Sequence, residues 1–347
     1  MNYIGVDYHK RYSVATVVDE QGIVLASKRL DNRSEAFHAF LKPFASAKAV
    51  LEATRNWGVG VDLLEAEVEE VILAHPAKVK VIAEAKIKTD KISAFDLAQL
   101  LRVNWIPKAY LRNRVNRGQQ LILRTRVFFV RLRTRVKNRI HDLVDRQAEP
   151  IRETAQTFSD LFGKKGRTWL KGLQLDPPYS TLLSKLLVTY EALNQQVAES
   201  DDLVAELFAA DPDCQLLASI PGFGPFFAVL IKVEVGDIKR FASSARFCSY
   251  AGVVPSTESS GGKTHHGSII KQSNHWLRWA FIEATMPATV ADDGLRAYYT
   301  YYRRMKGVKT AKVVTGRRLA CIAYRVLSEQ KPFYPQPAGS HGQRHAA

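Results

Sequence analysis

A serine pair stands against two glycines in a cation-rich run, Gly252-Val-Val-Pro-Ser-Thr-Glu-Ser-Ser-Gly-Gly-Lys-Thr-His-His-Gly267. After Ser268 it continues as Ile-Ile-Lys-Gln-Ser-Asn-His-Trp-Leu-Arg-Trp279. Ser259 and Ser260 are flanked by Lys263, His265, His266, Lys271 and Arg278. Such a loop can present a hydroxyl to a phosphate, because glycine lets the backbone approach closely and the cations neutralise the anion. The same residues also spell an ordinary polar hairpin loop, in which Ser-Gly pairs are common. No Cys or His is spaced to join His265 and His266 in a metal site, so they read as phosphate-facing or simply exposed.

A separate set of acids lies near the start of the chain. Asp7 ends the first apolar run, Glu52 ends a later one, and Asp90 follows Lys88-Thr89 at the start of a helical pattern. Carboxylates gathered from strand ends and a helix start are what two Mg²⁺ ions require, since hard cations take oxygen ligands and clamp both oxygens of a phosphodiester displacement. Singly, each has a plainer reading: Asp7 a strand-end turn residue, Glu52 a solvated charge, Asp90 a helix N-cap. Their order along one α/β pattern favours the joint reading. A chain with both constellations is expected to cut and rejoin nucleic acid rather than merely bind it.

The elements that must position these groups follow from periodicity. Tyr3–Asp7, Ser13–Val18 and Ile23–Leu30 read as a meander, with a turn at Asp19–Gly22. Ser34 is placed to cap a short helix through Phe37 and Phe40. Ala49–Glu52 reads as a strand, Val59 to Leu64 as a helix, Val71–Leu73 as a strand, and Pro76 opens another helix. The fold class expected is α/β plus α: an α/β domain over 1–105, a basic helical region over 106–208 that could form an antiparallel hairpin or an oligomerisation arm, and a mostly helical domain over 209–331. The Pro-, Gly- and His-containing tail, 332–347, reads as disordered. No internal repeat is visible.

The formal charge is +16 over 347 residues, which implies a polyanionic partner. No apolar run approaches a membrane span, and the first residues run into a strand pattern rather than a signal peptide. Cys214, Cys248 and Cys321 are scattered and read as buried thiols of a reducing cytosol. From Lys108 to Arg139 there are eleven Lys or Arg residues and no Asp or Glu. Leu121, Phe128, Leu132, Val136 and Ile140 recur at helical spacing, which predicts an amphipathic helix with a cationic outer face. A solvated helix normally mixes signs, so Arg124, Arg131 and Arg135 are assigned to nucleic-acid phosphates, RNA and DNA not being separable. Ile220-Pro-Gly-Phe-Gly-Pro225 has the form of a helix–hairpin–helix turn, where Gly222 and Gly224 would let N–H groups hold a phosphate; a Gly-Pro break between packed helices is its equal alternative. Trp276 and Trp279 read as core.

Taken together, the motifs carry a resemblance. Gly5-Val-Asp7, Leu51-Glu-Ala-Thr54, Lys88-Thr-Asp-Lys-Ile-Ser-Ala-Phe-Asp-Leu-Ala98, Ile220–Pro225, Tyr250-Ala-Gly-Val-Val-Pro255, Ser260-Gly-Gly-Lys263 with Gly267, and Leu277-Arg-Trp279 are similar to the DEDD-type insertion-sequence transposases, relatives of the Piv-type invertases. The resemblance implies an RNase H/RuvC-like domain, a coiled-coil region and a C-terminal transposase domain. It implies metal ligation by Asp7, Glu52 and Asp90 with Mg²⁺, and a nucleophile at Ser260, with Ser259 still open. The composite site would form across subunits of a homo-oligomer, a dimer or tetramer. Nucleic-acid contacts are assigned to Gly222, Gly224, Lys263, Lys271 and Arg278 besides the helix arginines. Partners implied are element-end DNA, target DNA and a noncoding bridge RNA, in the cytoplasm of a bacterial or archaeal cell, at the nucleoid and with no membrane.

One position departs from the pattern. The fourth acid of that family lies three residues after the third, and here Ser93 occupies it; either Asp96 substitutes, or Ser93 supports a weaker site, or the copy is inactive. Ser273 stands where glycine is usual. The rival readings are a RuvC-like structure-selective nuclease or junction resolvase, and an inactive nucleic-acid-binding copy. A sugar-kinase or actin-like ATPase would want a Gly-Thr phosphate loop after the aspartate, which Tyr8-His9-Lys10 does not supply.

Overall fold

A computed structural model describes residues 1–82, 89–260, 263–270 and 272–335, and of residues 258–260, 263–264 and 266 the backbone alone. The chain divides into two compact units, Met1–Arg117 and Gly118–Ala347.

The first unit contains β1 (Tyr3–Tyr8), β2 (Tyr12–Val18), β3 (Val24–Asp31), α1 (Ser34–Leu41), β4 (Lys48–Glu52), α2 (Trp57–Glu65), β5 (Glu70–Ala74), α3 (Pro76–Ile82) and α4 (Asp90–Arg102). The sheet order is β3-β2-β1-β4-β5. The β1–β2 and β2–β3 pairs are antiparallel; β1–β4 and β4–β5 are parallel. Alternation along the strands divides the core between two faces. Ile4, Val6, Ala49, Leu51 and Leu73 pack with Phe37, Leu41, Val61 and Leu64. On the opposite face Val50, Ile72 and Ala74 pack with Val79, Leu97 and Leu101. Thr89, not Asp90, caps α4: its hydroxyl accepts from the Ile92 N–H at 3.3 Å. Ser34 does not cap α1 either; Arg33 holds that place without a side-chain bond. Beyond α4 the chain returns to the sheet, where Ala109 N–H donates to the Leu73 carbonyl at 2.7 Å and Lys108 bridges to Ala74. That return carries the unit past residue 105.

Among its described residues the second unit is helical but for one strand pair. The long helix α5 (Arg114–Asp145) is followed by α6 (Glu149–Gln156), α7 (Lys164–Gly172), α8 (Tyr179–Ala210), α9 (Pro212–Ala218), α10 (Pro225–Val235), α11 (Ser244–Ala251), the antiparallel pair β6 (Pro255–Ser260) and β7 (Lys263–Ile269), α12 (His275–Glu283), α13 (Thr285–Ala291) and α14 (Asp293–Glu329). Arg126 meets Asp201, Arg133 meets Asn194, and Lys137 lies over Tyr190. One index rises as the other falls by equal steps, so α5 and α8 run antiparallel. Their far end closes over its own cluster, including Ile140, Leu143, Phe162, Leu170 and Leu187. The main core gathers α10, α11, α12 and the second half of α14.

The buried stripe of α5 differs from the one expected. Leu123, Val127, Ile140, Leu143 and Val144 are buried, whereas Leu121 and Phe128 are exposed. Apolar residues occur on two faces of this helix, so spacing alone cannot tell which faces the core. Of the expected tail, Phe333 packs against the core and its N–H donates to Ser219 Oγ at 2.8 Å; residues 336–347 lie outside the described ones. Among the described residues no helix is long and apolar enough to cross a membrane.

Candidate functional site

The first unit gathers its chemistry at the C-terminal edge of the sheet. Register places Val6 of β1 opposite Leu51 of β4, so Asp7 and Glu52 follow at the same level on adjacent parallel strands. In-register parallel neighbours share a face, here the one covered by α4. That helix lies close because Gly5 has no side chain: a Cβ there would stand 1.9 Å from the Ala94 carbonyl oxygen. Its first residue, Asp90, is thereby delivered to Asp7.

Between the two carboxylates lies a residue not anticipated from the sequence. His9 Nε2 is 3.2 Å from Asp90 Oδ2 and 3.6 Å from Asp7 Oδ2. Tyr12 donates its hydroxyl to Asp90 Oδ2 at 2.9 Å, and that bond raises the phenol above its usual pKa. The β1–β2 turn fixes this arrangement: His9 N–H donates to the Tyr12 carbonyl, and Asn32 Nδ2 to the His9 carbonyl at 2.6 Å. His9 could have been found from spacing, since residues i and i+2 of a strand point to one side.

Asp7, His9 and Asp90 offer ligand atoms all within 4.8 Å of one another, the one such group among the described residues. His9 Nε2 is buried yet makes no hydrogen bond, so the cluster holds an unsatisfied polar atom between two oxygen donors. Such a donor set fits a divalent cation that accepts oxygen with one nitrogen. Glu52 and Asp96 are not in the group. Asp90 is the first residue of α4, which puts Ser93 one turn on and Asp96 well round the helix. Beside the cluster a cleft of about 390 Å³ is lined by Asp7, Tyr8, His9, Lys10, Thr54, Arg55 and Asn56, so two cations wall the approach to the acids.

In the second unit the serine run forms a hairpin. The register pairs Ser260 with Lys263 and Ser259 with Thr264, placing Ser260 at the tip beside Gly261-Gly262, which lie outside the described residues, as does Lys271. The base of this hairpin is clamped by Arg278. Its Nε donates to the Gly252 carbonyl at 3.0 Å, and one terminal nitrogen reaches both the Ile270 carbonyl and Ser273 Oγ. Gly252 precedes β6 and Ile270 follows β7, so one guanidinium ties the two ends together.

A second brace sits below. Glu234 of α10, 2% exposed, accepts from Asn274 Nδ2 at 2.7 Å, Gln120 Nε2 at 3.0 Å and Arg124 at 3.1 Å. Asn274 Oδ1 in turn caps α12 through the Trp276 and Leu277 N–H groups. Arg124 and Arg131 both lie over the half-buried Trp276 ring, at 5.5 and 6.0 Å. Arg131 and Arg135 are exposed.

The Ile220–Pro225 run is a tight turn between α9 and α10. Phe223 N–H donates to the Ile220 carbonyl at 3.0 Å, and Gly222 has φ +86°, the pattern of a type II turn with Pro at its second position. A Cβ on Gly222 would meet the Ala284 carbonyl at 2.5 Å; Gly224 is open and heads α10.

Known proteins align with both units. A DEDD profile of IS110 elements, described as a transposase, matches residues 4–148. The profile described as the transposase IS116/IS110/IS902 family matches residues 214–300. An uncharacterized insertion element IS116 protein of Streptomyces clavuligerus is 26% identical over 42% of this chain and 37% of its own length. The transposase for insertion sequence element IS1111A of Coxiella burnetii is 24% identical over 95% of this chain and 90% of its own. A pilin gene-inverting protein of Moraxella bovis is 30% identical over 40% of this chain and 46% of its own. The chain thus aligns with under half of the IS116 and gene-inverting proteins and with most of the IS1111A one.

Proposed function

The chain belongs to the DEDD transposases of the IS116/IS110/IS902 family, and on that footing we propose that it cuts and rejoins DNA as the recombinase of a mobile element. The observation that carries this reading is the convergence of Asp7 and Asp90 on His9 at the strand ends. The sheet order β3-β2-β1-β4-β5, with two antiparallel pairs followed by two parallel ones, supports an RNase H/RuvC-like assignment for the first unit. The gene-inverting name of the Moraxella relative supports strand exchange over simple hydrolysis.

Asp7 and Asp90 would hold Mg²⁺, with Glu52 from the neighbouring strand end and Ser93 or Asp96 from α4 as further ligands. A bound divalent ion would supply Lewis-acid polarisation of a phosphodiester. Tyr12 orients the Asp90 carboxylate through its hydroxyl, and Lys10 and Arg55 present charge to the incoming backbone.

Ser260 is the nucleophile of this proposal, with Ser259 as its neighbour. Its Oγ forms a bond to phosphorus as the bond from phosphorus to a deoxyribose oxygen breaks, and the hydroxyl proton ends on that leaving oxygen. Attack by a sugar hydroxyl on the serine ester reverses the exchange and returns the proton, so strands rejoin without ATP. Arg278 keeps the hairpin base closed, and Lys263, paired with Ser260 at the tip, adds charge. Arg131 and Arg135 on α5 take nucleic-acid phosphates, including those of a bridge RNA, and Gly224 at the head of α10 admits another. The working form is a homo-oligomer acting on element-end and target DNA.

The test is a denaturing gel of protein with co-purified RNA, Mg²⁺ and labelled element-junction DNA, beside Ser260→Ala. A denaturation-resistant protein–DNA band that the variant lacks is expected. Nicked DNA without that band would replace the serine mechanism with metal-dependent hydrolysis.

A further inference from the structure

The longest helix of the second unit carries a surface that the reading above does not use. From Gly294 to Ser328 there are nine Lys or Arg residues and no Asp or Glu. A solvated helix of this length ordinarily mixes signs for i,i+4 pairing, so the missing acids need a reason. The helix is also broken: Gly307 has φ 78° and ψ 170°, non-helical values, where α14 changes course. Every residue from Arg303 to Thr310 around that break is exposed. Among the described residues no acid pairs with Arg303, Arg304, Lys306 or Lys309; the nearest ion pair on this helix is Arg296 with Asp293, at 3.0 Å.

Next to these cations stands a cluster of tyrosines. Tyr299 is buried and anchors the helix, while the Tyr298 and Tyr302 rings lie 4.9 Å apart. Tyr301 meets Tyr302 nearly perpendicularly at 5.2 Å and is itself 59% exposed. The ring is therefore held in orientation without being covered. A cleft of about 530 Å³ runs beside it, lined by Arg296, Ala297, Thr300, Arg304 and Met305, with Asp293 at its end.

Rigid exposed aromatic rings beside unpaired cations make a stacking platform on a phosphate-binding surface. Duplex nucleic acid buries its base faces and cannot use the ring, whereas a single strand can. We propose that the Gly307 end of α14 binds single-stranded nucleic acid, with Arg303, Arg304, Lys306 and Lys309 holding phosphates and an unpaired base stacked on Tyr301. This rests on the recombinase reading, which requires strands to be unpaired, but it assigns a site distinct from the acids and from the serine hairpin.

Fluorescence anisotropy of the full chain with labelled oligo-dT, oligo-U and a duplex of equal length tests it. Tyr301→Ala is expected to weaken both single strands about tenfold and the duplex by less than about twofold, as loss of one stacked base predicts. Arg303→Ala with Arg304→Ala is expected to lower the single-strand salt slope by about 1.4, two phosphates' worth. The probe held more tightly by the wild type, and lost in Tyr301→Ala, identifies RNA or DNA as the source. Unchanged single-strand affinity in both variants overturns the proposal, as does equal loss of duplex and single strand in Tyr301→Ala. Displacement of the strand by polyglutamate of equal charge overturns it too, since an acidic protein would then serve. A wild type that binds none of the probes sinks the recombinase reading as well; variant insensitivity with wild-type binding intact sinks the α14 site alone.

Discussion

Gly5 of β1 and Ala94 of α4 are in direct apposition, with space for no side chain: a Cβ on Gly5 would also stand 2.5 Å from the Ala98 nitrogen. The depth at which α4 seats on the sheet is set here. So is the distance between Asp7, two residues along the strand, and Asp90, one turn up the helix.

Gly5→Ala should lift α4 off the sheet. Overpacking of this kind costs about 1–3 kcal/mol, and the thermal midpoint should fall by roughly 2–4 °C for each kcal/mol. Divalent-ion affinity should fall with it, because Asp90 withdraws from Asp7. Calorimetric Mn²⁺ titration and melting read the two effects; a variant that melts like the wild type would falsify the tight contact.

Asp7→Asn and Asp90→Asn should each abolish metal-dependent DNA cutting and weaken Mn²⁺ binding by at least about tenfold, on the order of one lost charged ligand. Melting in metal-free buffer should not fall, because each change removes one of two neighbouring carboxylates whose charges repel. Destabilisation of several degrees without metal would instead make these acids structural.

Ser93 and Asp96 are separable by geometry. With Asp90 as the first helical residue, Ser93 lies roughly 60° from it around the axis and Asp96 roughly 120°, further round in the same direction. Ser93→Asp should therefore tighten metal binding, and Asp96→Asn should leave it nearly unchanged. The reverse outcome would make Asp96 the working ligand.

Arg278→Ala should open the base of the serine hairpin. Loss of its charged hydrogen bonds to the Gly252 and Ile270 carbonyls costs about 1.5–3 kcal/mol each at most. Limited proteolysis should then cut between 253 and 272 first, and Arg278→Lys should not restore protection, since an ammonium lacks the planar fork. Equal protease resistance would show that the hairpin closes without it.

Arg131→Glu with Arg135→Glu should weaken nucleic-acid binding and flatten its salt dependence. Glu234→Ala, by contrast, should destabilise the second unit by about 1–3 kcal/mol, because it leaves the buried Gln120 amide without its acceptor and takes the shared carboxylate from Arg124 and Asn274. An unchanged salt slope in the first variant would return α5 to an ordinary solvated surface.

The meander, the later strands and most helices were legible in the sequence, because alternation and 3.6-residue spacing are local signals. Asp7, Glu52 and Asp90 were legible as strand ends and a helix start for the same reason. His9 and Tyr12 were not singled out, since nothing local shows that a hairpin turn will fold them against a helix some eighty residues on. The core-facing stripe of α5 was misread at Leu121 and Phe128 because a helix apolar on two faces needs its neighbours to say which is buried. Likewise Arg278 carried no mark distinguishing a hairpin clamp from a free phosphate ligand.

Composition and short-range period specify the kinds of element, the basic character of α5 and the residue types available for phosphate chemistry. Which groups meet is set by long-range packing. Gly5 admits α4, α4 brings Asp90 to Asp7, and the β1–β2 turn sets His9 between them; Glu234 and Arg278 secure the hairpin from below. Such meetings depend on close packing between residues distant along the chain, where a missing side chain governs position as firmly as one that is present.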